Sequence, residues 1–419
     1  MTMSLTDRYL RPGTLQLGAP PPLSVYVHLP WCLKKCPYCD FNSHEWRQPE
    51  AADAPAPGRL PPLVAEGAGA MPEQRYLDAL RADLEASLPM VWGRSVHSVF
   101  IGGGTPSLFS PESIGRLISD LRQLLPMQPG CEITMEANPG TFEKDRFRAY
   151  RAAGVTRLSI GVQSFDDAKL QALGRVHDRE QALAAVQEAA ASFDTFNLDL
   201  MYALPGQTID ELAQDLRTAL SFSPPHLSLY HLTIEPNTAF ANNPPEVPDD
   251  DTGSDMLDLV ADMTGQAGLQ RYEVSAYARP GHRCAHNLNY WQFGDYLGIG
   301  AGAHGKLSFP HRVVRQVRWR EPAAYMREAL AGKAVSNEHE VTRKALPFEF
   351  MLNTLRLRDG IEAALFAERT GLPPSAVAQG LQEAQDKGLL KIVEAPMGRV
   401  WRPTARGFDF LSNLQEIFL

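Results

Sequence analysis

The chain has 419 residues, 44% of them hydrophobic and 21% charged, values that suit a soluble globular protein of two or three domains with a large core. Its formal net charge of −9 argues against a nucleic-acid binder that works through a basic surface. No stretch approaches the roughly 18 uninterrupted apolar residues of a membrane span, and the N-terminus, with Asp7, Arg8 and Arg11, predicts no signal peptide and a cytoplasmic protein.

After a short extension over residues 1–22, Leu23 to His28 reads as a strand. It runs into Pro30-Trp31-Cys32-Leu33-Lys34-Lys35-Cys36-Pro37-Tyr38-Cys39, which sets three thiols on one loop. Such a loop suits three irons of a [4Fe–4S] cluster, normally held by four Cys, and leaves one iron for a small molecule. The amino and carboxylate groups of S-adenosylmethionine can chelate that iron, and one electron into the sulfonium then yields a 5′-deoxyadenosyl radical. A zinc site completed by His28 or His44 is the alternative. The other two of the five cysteines, Cys131 and Cys284, are far apart, which fits free buried thiols in a reducing compartment.

Residues 48–72 are rich in Pro, Ala and Gly and read as a disordered surface insertion. Beyond them Tyr76, Leu77, Leu80, Leu84 and Leu88 fall at helical spacing, and Val96 to Ile101 forms the next strand. Ser110 and Pro111 open a helix with Ile114, Leu117, Ile118 and Leu121 on one face. Strands recur near 131–136, 155–162, 194–201 and 226–234 with helices between, a βαβ alternation that implies a parallel sheet.

Function in such folds gathers at the carboxyl ends of the strands. There lie the cysteine loop, Gly102 to Pro106, Glu136-Ala137-Asn138-Pro139, Gln163 to Asp166, and Asp199. Glycines let backbone approach a ligand closely. Glu136 and Asp199 suit ribose hydroxyls or an ammonium, and Arg175 suits a carboxylate. The structural alternative is a set of rim residues that satisfy loop backbone.

After residue 310, Arg312 to Arg320 partly alternates apolar with basic and reads as an edge strand or extended linker whose arginines lie on a solvated face. Phe348, Met351, Leu352 and Leu355 fit a helix; Val377, Leu381 and Ala384 fit another that stops at Gly388. Leu389 to Val393 and Val400 to Arg402 read as a hairpin, and Phe408 to Phe418 as a last helix, which suggests a winged-helix-like module. Residues 340–419 hold ten acidic and ten basic side chains, a balance that favours packing or protein contact over DNA binding.

The cysteine loop, Gly102 to Pro106, Glu136 to Pro139, Gly161 to Phe165, Asn197 to Met201 and Leu204 to Gln207 together resemble radical S-adenosylmethionine enzymes related to oxygen-independent coproporphyrinogen III oxidase. The resemblance implies an α/β fold: a partial (β/α)6 barrel over residues 23–310, a linker or edge segment over 311–339, and a winged-helix-like domain over 340–419. It implies a [4Fe–4S] cluster on Cys32, Cys36 and Cys39. It further implies contacts to S-adenosylmethionine from Tyr26, Tyr38, Gly103, Gly104, Thr105, Glu136, Gln163, Arg175 and Asp199. The oxidase pattern carries a further Cys two places after the third ligand, where this chain has Phe41, and a longer N-terminal extension. Both departures, and His286-Asn287-Leu288-Asn289-Tyr290-Trp291, are similar to the heme-chaperone branch of that family, in which this hexapeptide pattern binds heme. A His can ligate heme iron beside aromatic surface; a structural His among core aromatics is the alternative.

The implied function is transfer of heme from His286 to acceptor hemoproteins such as respiratory cytochromes, some of them membrane-bound, with an electron donor for the cluster. The competing reading is the oxidase itself, which decarboxylates two propionates of coproporphyrinogen III. A tRNA-modifying radical enzyme is disfavoured by the acidic charge, and no nucleic-acid partner is expected.

Overall fold

The structure, a computed structural model, describes residues 9–46, 71–141, 145–396 and 398–419. The stretch read as a surface insertion lies outside these, apart from residues 71 and 72. β1 (Leu23–Leu29) leads into two minimal strands, β2 (Trp31–Cys32) and β3 (His44–Glu45), that pair with each other and close the cysteine loop. Then follow β4 (Val96–Gly103), β5 (Met127–Ala137), β6 (Arg157–Gln163), β7 (Phe196–Tyr202) and β8 (His226–His231). These five and β1 pair in sequence order, each parallel to the next, and β8 does not close onto β1. This is the expected partial (β/α)6 barrel.

Strict alternation divides its two faces. Val25, Val27, Val99, Ile101, Ile133, Met135, Leu158, Ile160 and Leu198 are buried in the main core with Leu77, Leu80, Leu84, Ile114 and Leu117 from the crossover helices. The opposite face carries Ser24, Tyr26, Ser98, Phe100, Thr134, Glu136, Ser159, Asn197 and Asp199, brought side by side by the register. A one-residue slip would exchange these faces, so the apolar burial fixes where the polar groups point. Ser110 caps helix Pro111–Leu124 by accepting from Ser113 N at 3.2 Å, as its position before Pro111 predicts.

The sheet extends past both ends of the barrel. β9 (Gln270–Arg271) and β10 (Ala276–Ala278) add antiparallel beyond β8. β11 (Asp295–Gly300) returns to the free edge of β1, parallel to it, and β12 (His304–Phe309), β13 (Arg312–Arg318) and β14 (Val335–Glu340) continue as an antiparallel meander. The run Arg312 to Arg318 is therefore an internal strand, with β14 outside it.

Its arginines are not a solvated face. Arg318 is fully buried and meets Asp83, itself 1% exposed, at 3.2 Å. Tyr325 donates to the same carboxylate at 3.0 Å. The pair ties helix Glu73–Val91 to the meander. Arg312, also buried, donates to the carbonyl of Arg11 at 2.7 Å, and Arg315 bonds Glu349 at 2.7 Å. Buried cations inside an acidic chain find partners because an unpaired one would be costly.

A second core holds Phe350, Phe366, Leu381, Trp401 and Leu414 together with Leu15 and Leu17 of the N-terminal segment. Helices Leu346–Thr354, Ala364–Thr370 and Ala378–Asp386 surround a three-stranded sheet of β15 (Ile361–Glu362), β16 (Leu390–Ala395) and β17 (Gly398–Pro403). The expected hairpin is β16–β17. The expected last helix is two short ones, Ala405–Asp409 and Leu411–Glu416. Among the described residues no helix is long and apolar enough to cross a membrane.

Removing one member of the Asp83–Arg318 pair strands a buried charge. Asp83→Ala is expected to lower unfolding stability by about 3–5 kcal/mol, measured by denaturant titration, whereas a surface variant such as Arg399→Ala, whose ion pair is exposed, stays within about 0.5 kcal/mol of wild type.

Candidate functional site

The cysteine loop leaves the carboxyl end of β1 and is fastened at both ends. Trp46 N donates to Cys32 O at 2.8 Å, and Cys39 N to Cys36 O at 3.1 Å. Asn42 Nδ2 donates to the carbonyls of Ala301 and Arg320 at 3.0 and 2.9 Å, pinning the loop to the segments after β11 and β13. His28 Nε2 donates to Asn42 O at 3.0 Å, which leaves Nδ1 to accept from Tyr26 O–H at 2.9 Å. Burial holds this ring neutral, its pKa lowered to about 4. Both its nitrogens are engaged, so His28 has no lone pair for a metal. His44 Nε2 lies 3.3 Å from Asn42 Oδ1, on a groove other than the one the cysteines line. The zinc alternative thus loses both of its imidazoles. Among the described residues no three His, Cys, Asp or Glu side chains converge on a point suited to one ion.

All five cysteines are free. Each sulfur of the loop has a hydroxyl or guanidinium neighbour: Thr105 Oγ1 donates to Cys32 Sγ at 3.4 Å, Arg175 Nη1 to Cys36 Sγ at 3.5 Å, and Ser43 Oγ lies 3.7 Å from Cys39 Sγ. Such donors stabilise metal-bound thiolates and tune cluster potential. Burial pushes the Cys32 thiol up to about 11, so without an electrophilic metal it keeps its proton.

Beside the sulfurs opens a cavity of about 390 Å³. Its wall includes Cys32, Cys36, Cys39, Tyr38, Gly103, Gly104, Thr105, Glu136, Gln163, Arg175 and Asp199. Two glycines shape it. A Cβ on Gly103, whose φ is +118°, would lie 2.7 Å from the His28 ring, and one on Gly104 would lie 2.6 Å from Trp31 O. Gln163 is a non-glycine residue at φ +67°, local strain of the kind that collects at functional sites.

The charged groups are strongly perturbed. Glu136 accepts from Gly103 N at 3.1 Å, yet burial and then the Asp199 charge push its pKa up to about 8. Asp199 is raised by burial, against donation from Ser159 at 2.9 Å and Asn197 at 2.8 Å. Arg175 Nη2 donates to Gly161 O at 2.7 Å, while its buried Nε has no partner. An orphaned guanidinium nitrogen, two half-buried carboxyls and a glycine cradle fit an amino-acid and ribose ligand next to three thiolates.

A second cavity, of about 500 Å³, shares Asp40, Phe41, Gly103 and Glu136 with the first. Tyr26, Phe100, His286, Tyr290, Trp291 and Tyr296 supply its aromatic wall. His286 sits on helix Ala285–Trp291, which is fixed to the barrel by Asn289, whose Nδ2 donates to Ser24 Oγ at 2.9 Å. His286 Nδ1 lies 3.5 Å from Ser98 Oγ, and no hydrogen bond engages Nε2 among the described residues. Burial lowers its pKa to about 3, so the imidazole is neutral and able to ligate.

Tyr26 is therefore placed apart from the other residues assigned to S-adenosylmethionine: it lines the His286 cavity and bonds His28. No motif marks Ser43, Asn42, Ser159 or Phe100 as a site residue. Inward alternation on β4 and β6, next to Gly102 and Gly161, was the available signal for Phe100 and Ser159.

Residues 26–219 match the Radical SAM superfamily, and residues 341–410 match the HemN C-terminal domain. Proteins named heme chaperone HemW from Haemophilus influenzae and Escherichia coli are 45% and 44% identical to the chain, each over 95% of it and 98% of the relative. The fold is also that of coproporphyrinogen III oxidase (HemN) from Escherichia coli, with a TM-score of 0.76 and 24% identity over 95% of this chain and 90% of that one. With two family matches in succession and near-complete coverage of relatives at this identity, the chain belongs to the HemW family of radical SAM proteins.

Proposed function

We propose that this chain binds a [4Fe–4S] cluster through Cys32, Cys36 and Cys39, S-adenosylmethionine in the adjoining cavity and heme at His286, and passes heme to acceptor hemoproteins such as respiratory cytochromes. The observation that carries this reading is the aromatic cavity around a neutral His286, built on the wall of the cysteine cavity. Relatives named heme chaperone along the whole chain support it. When bound, the cluster supplies one-electron chemistry.

The chain's own residues set the conditions. Thr105, Arg175 and Ser43 stand by the sulfurs, Gly103 and Gly104 keep the floor free of side chains, and Glu136 and Asp199 offer carboxyls to an ammonium or to hydroxyls. Among residues assigned to S-adenosylmethionine, Tyr38, Gln163 and Arg175 complete that wall; Tyr26 acts on the heme side. Free cysteines favour a reducing cytoplasm, with acceptors reached by transient contact, an electron donor supplied by the cell and no nucleic acid involved.

The reading is tested by His286→Ala, expected to abolish the Soret band of heme-loaded protein while the broad iron–sulfur absorbance persists; an unchanged Soret spectrum would refute the ligand. Cys36→Ser is expected to do the reverse, losing cluster iron on anaerobic reconstitution and keeping heme. Glu136 bears on pH. A donor-rich ligand needs its carboxylate, and the raised pKa means that the carboxylate fraction grows as pH climbs towards about 8. Affinity for S-adenosylmethionine should thus rise from pH 6 to 8 by up to about tenfold per unit, and equilibrium dialysis of Glu136→Gln should show a flatter profile. Conversion of coproporphyrinogen by the same preparation would favour the oxidase.

A further inference from the structure

The charged groups of the His286 cavity are unevenly placed. Its two carboxyls, Asp40 and Glu136, belong to the wall shared with the cysteine cavity. Arg320 and His304 line it as well, but not the cysteine cavity. His28 and His286 are held neutral by burial. Among the described residues, Arg320 is thus the one permanent cation in the lining.

Its state differs from that of the other arginines in its run. Arg312, Arg315 and Arg318 are committed to Glu340, Glu349 and Asp83. The Arg320 guanidinium has no ion pair and no hydrogen bond among the described residues, while its carbonyl is fixed by Asn42 Nδ2 at 2.9 Å. The backbone is pinned to the cysteine loop and the exposed side chain is left over. Burial first, then the charges of Arg315 and Arg320, holds the pKa of His304 below the ordinary value.

We propose that Arg320 is the carboxylate anchor of the His286 cavity, orienting a tetrapyrrole with its propionate edge towards Arg320 and its apolar edge towards Phe100 and Tyr26. The proposal rests on the reading of this cavity as the heme site. Heme carries both carboxylates on one edge, so a single unpaired cation in the lining is enough to choose between orientations. Arg320 favours the pose that brings the propionates to it. Arg320 is then a specificity-determining residue that distinguishes free propionates from esterified ones.

The experiment compares hemin with hemin dimethyl ester in Soret titrations of the full chain, reconstituted with its cluster, in one detergent buffer. In wild type, hemin is expected to bind about tenfold more tightly than the ester, the effect of one charge-assisted hydrogen bond. Arg320→Ala should erase that preference by weakening hemin alone, and Arg320→Lys should restore most of it. Equal loss of both ligands in Arg320→Ala, or hemin affinity as in wild type, would overturn the anchor while heme binding at His286 stands. If His286→Ala binds hemin as wild type does, the cavity is not the heme site and both readings fall together.

Discussion

β1 is hydrogen-bonded along both edges, to β4 on one side and β11 on the other, and its outward side chains Val25, Val27 and Leu29 are fully buried. Such a strand has almost no freedom to slip, because displacement by one residue would turn three apolar side chains into a polar interior and bury Ser24, Tyr26 and His28 under helices. Everything of functional interest is measured from its carboxyl end. The cysteine loop begins there, Gly103 closes over the His28 ring, and Gly104 N donates to Leu29 O at 2.8 Å.

The same constraint explains why the two cavities adjoin. β1 sends Tyr26 into the aromatic cavity and hands its chain to the loop that bears the thiols, with Asn42 as the joint between them. Phe41, 63% exposed, is next to that joint and lines both spaces. A single aromatic residue standing where the oxidase pattern has a Cys therefore belongs to the wall between the cysteine cavity and the His286 cavity.

The C-terminal core is coupled to this wall by charge. Arg315 on β13 bonds Glu349 of helix Leu346–Thr354 and donates to Tyr296 in the aromatic cavity at 2.8 Å, while the Arg356 guanidinium lies 4.2 Å over the Trp291 ring and meets Glu273 at 3.1 Å. A module that looks, from its balanced charge, like a packing unit holds two of the aromatic residues of the cavity in place. The cation over Trp291 restrains its ring.

The sequence by itself determined the barrel strands, the cysteine ligand loop and the rim positions, because these depend on short-range signals: two-residue alternation, helical spacing, caps and Cys spacing. Eleven of the thirteen residues assigned to cofactors line one cavity, the cysteines read from their spacing and the S-adenosylmethionine contacts from the family resemblance. Tertiary structure alone decided the rest. Tyr26 lies two residues before His28 in the chain, but which cavity it lines depends on helix Ala285–Trp291, some 260 residues later, packing against β4. The alternation of Arg312 to Arg320 reads as a solvated face until Asp83, Glu349 and Glu340 arrive from distant segments to neutralise three of its charges and leave Arg320 free. Pairing of buried charges is a property of separations in space, and local spacing carries no record of it.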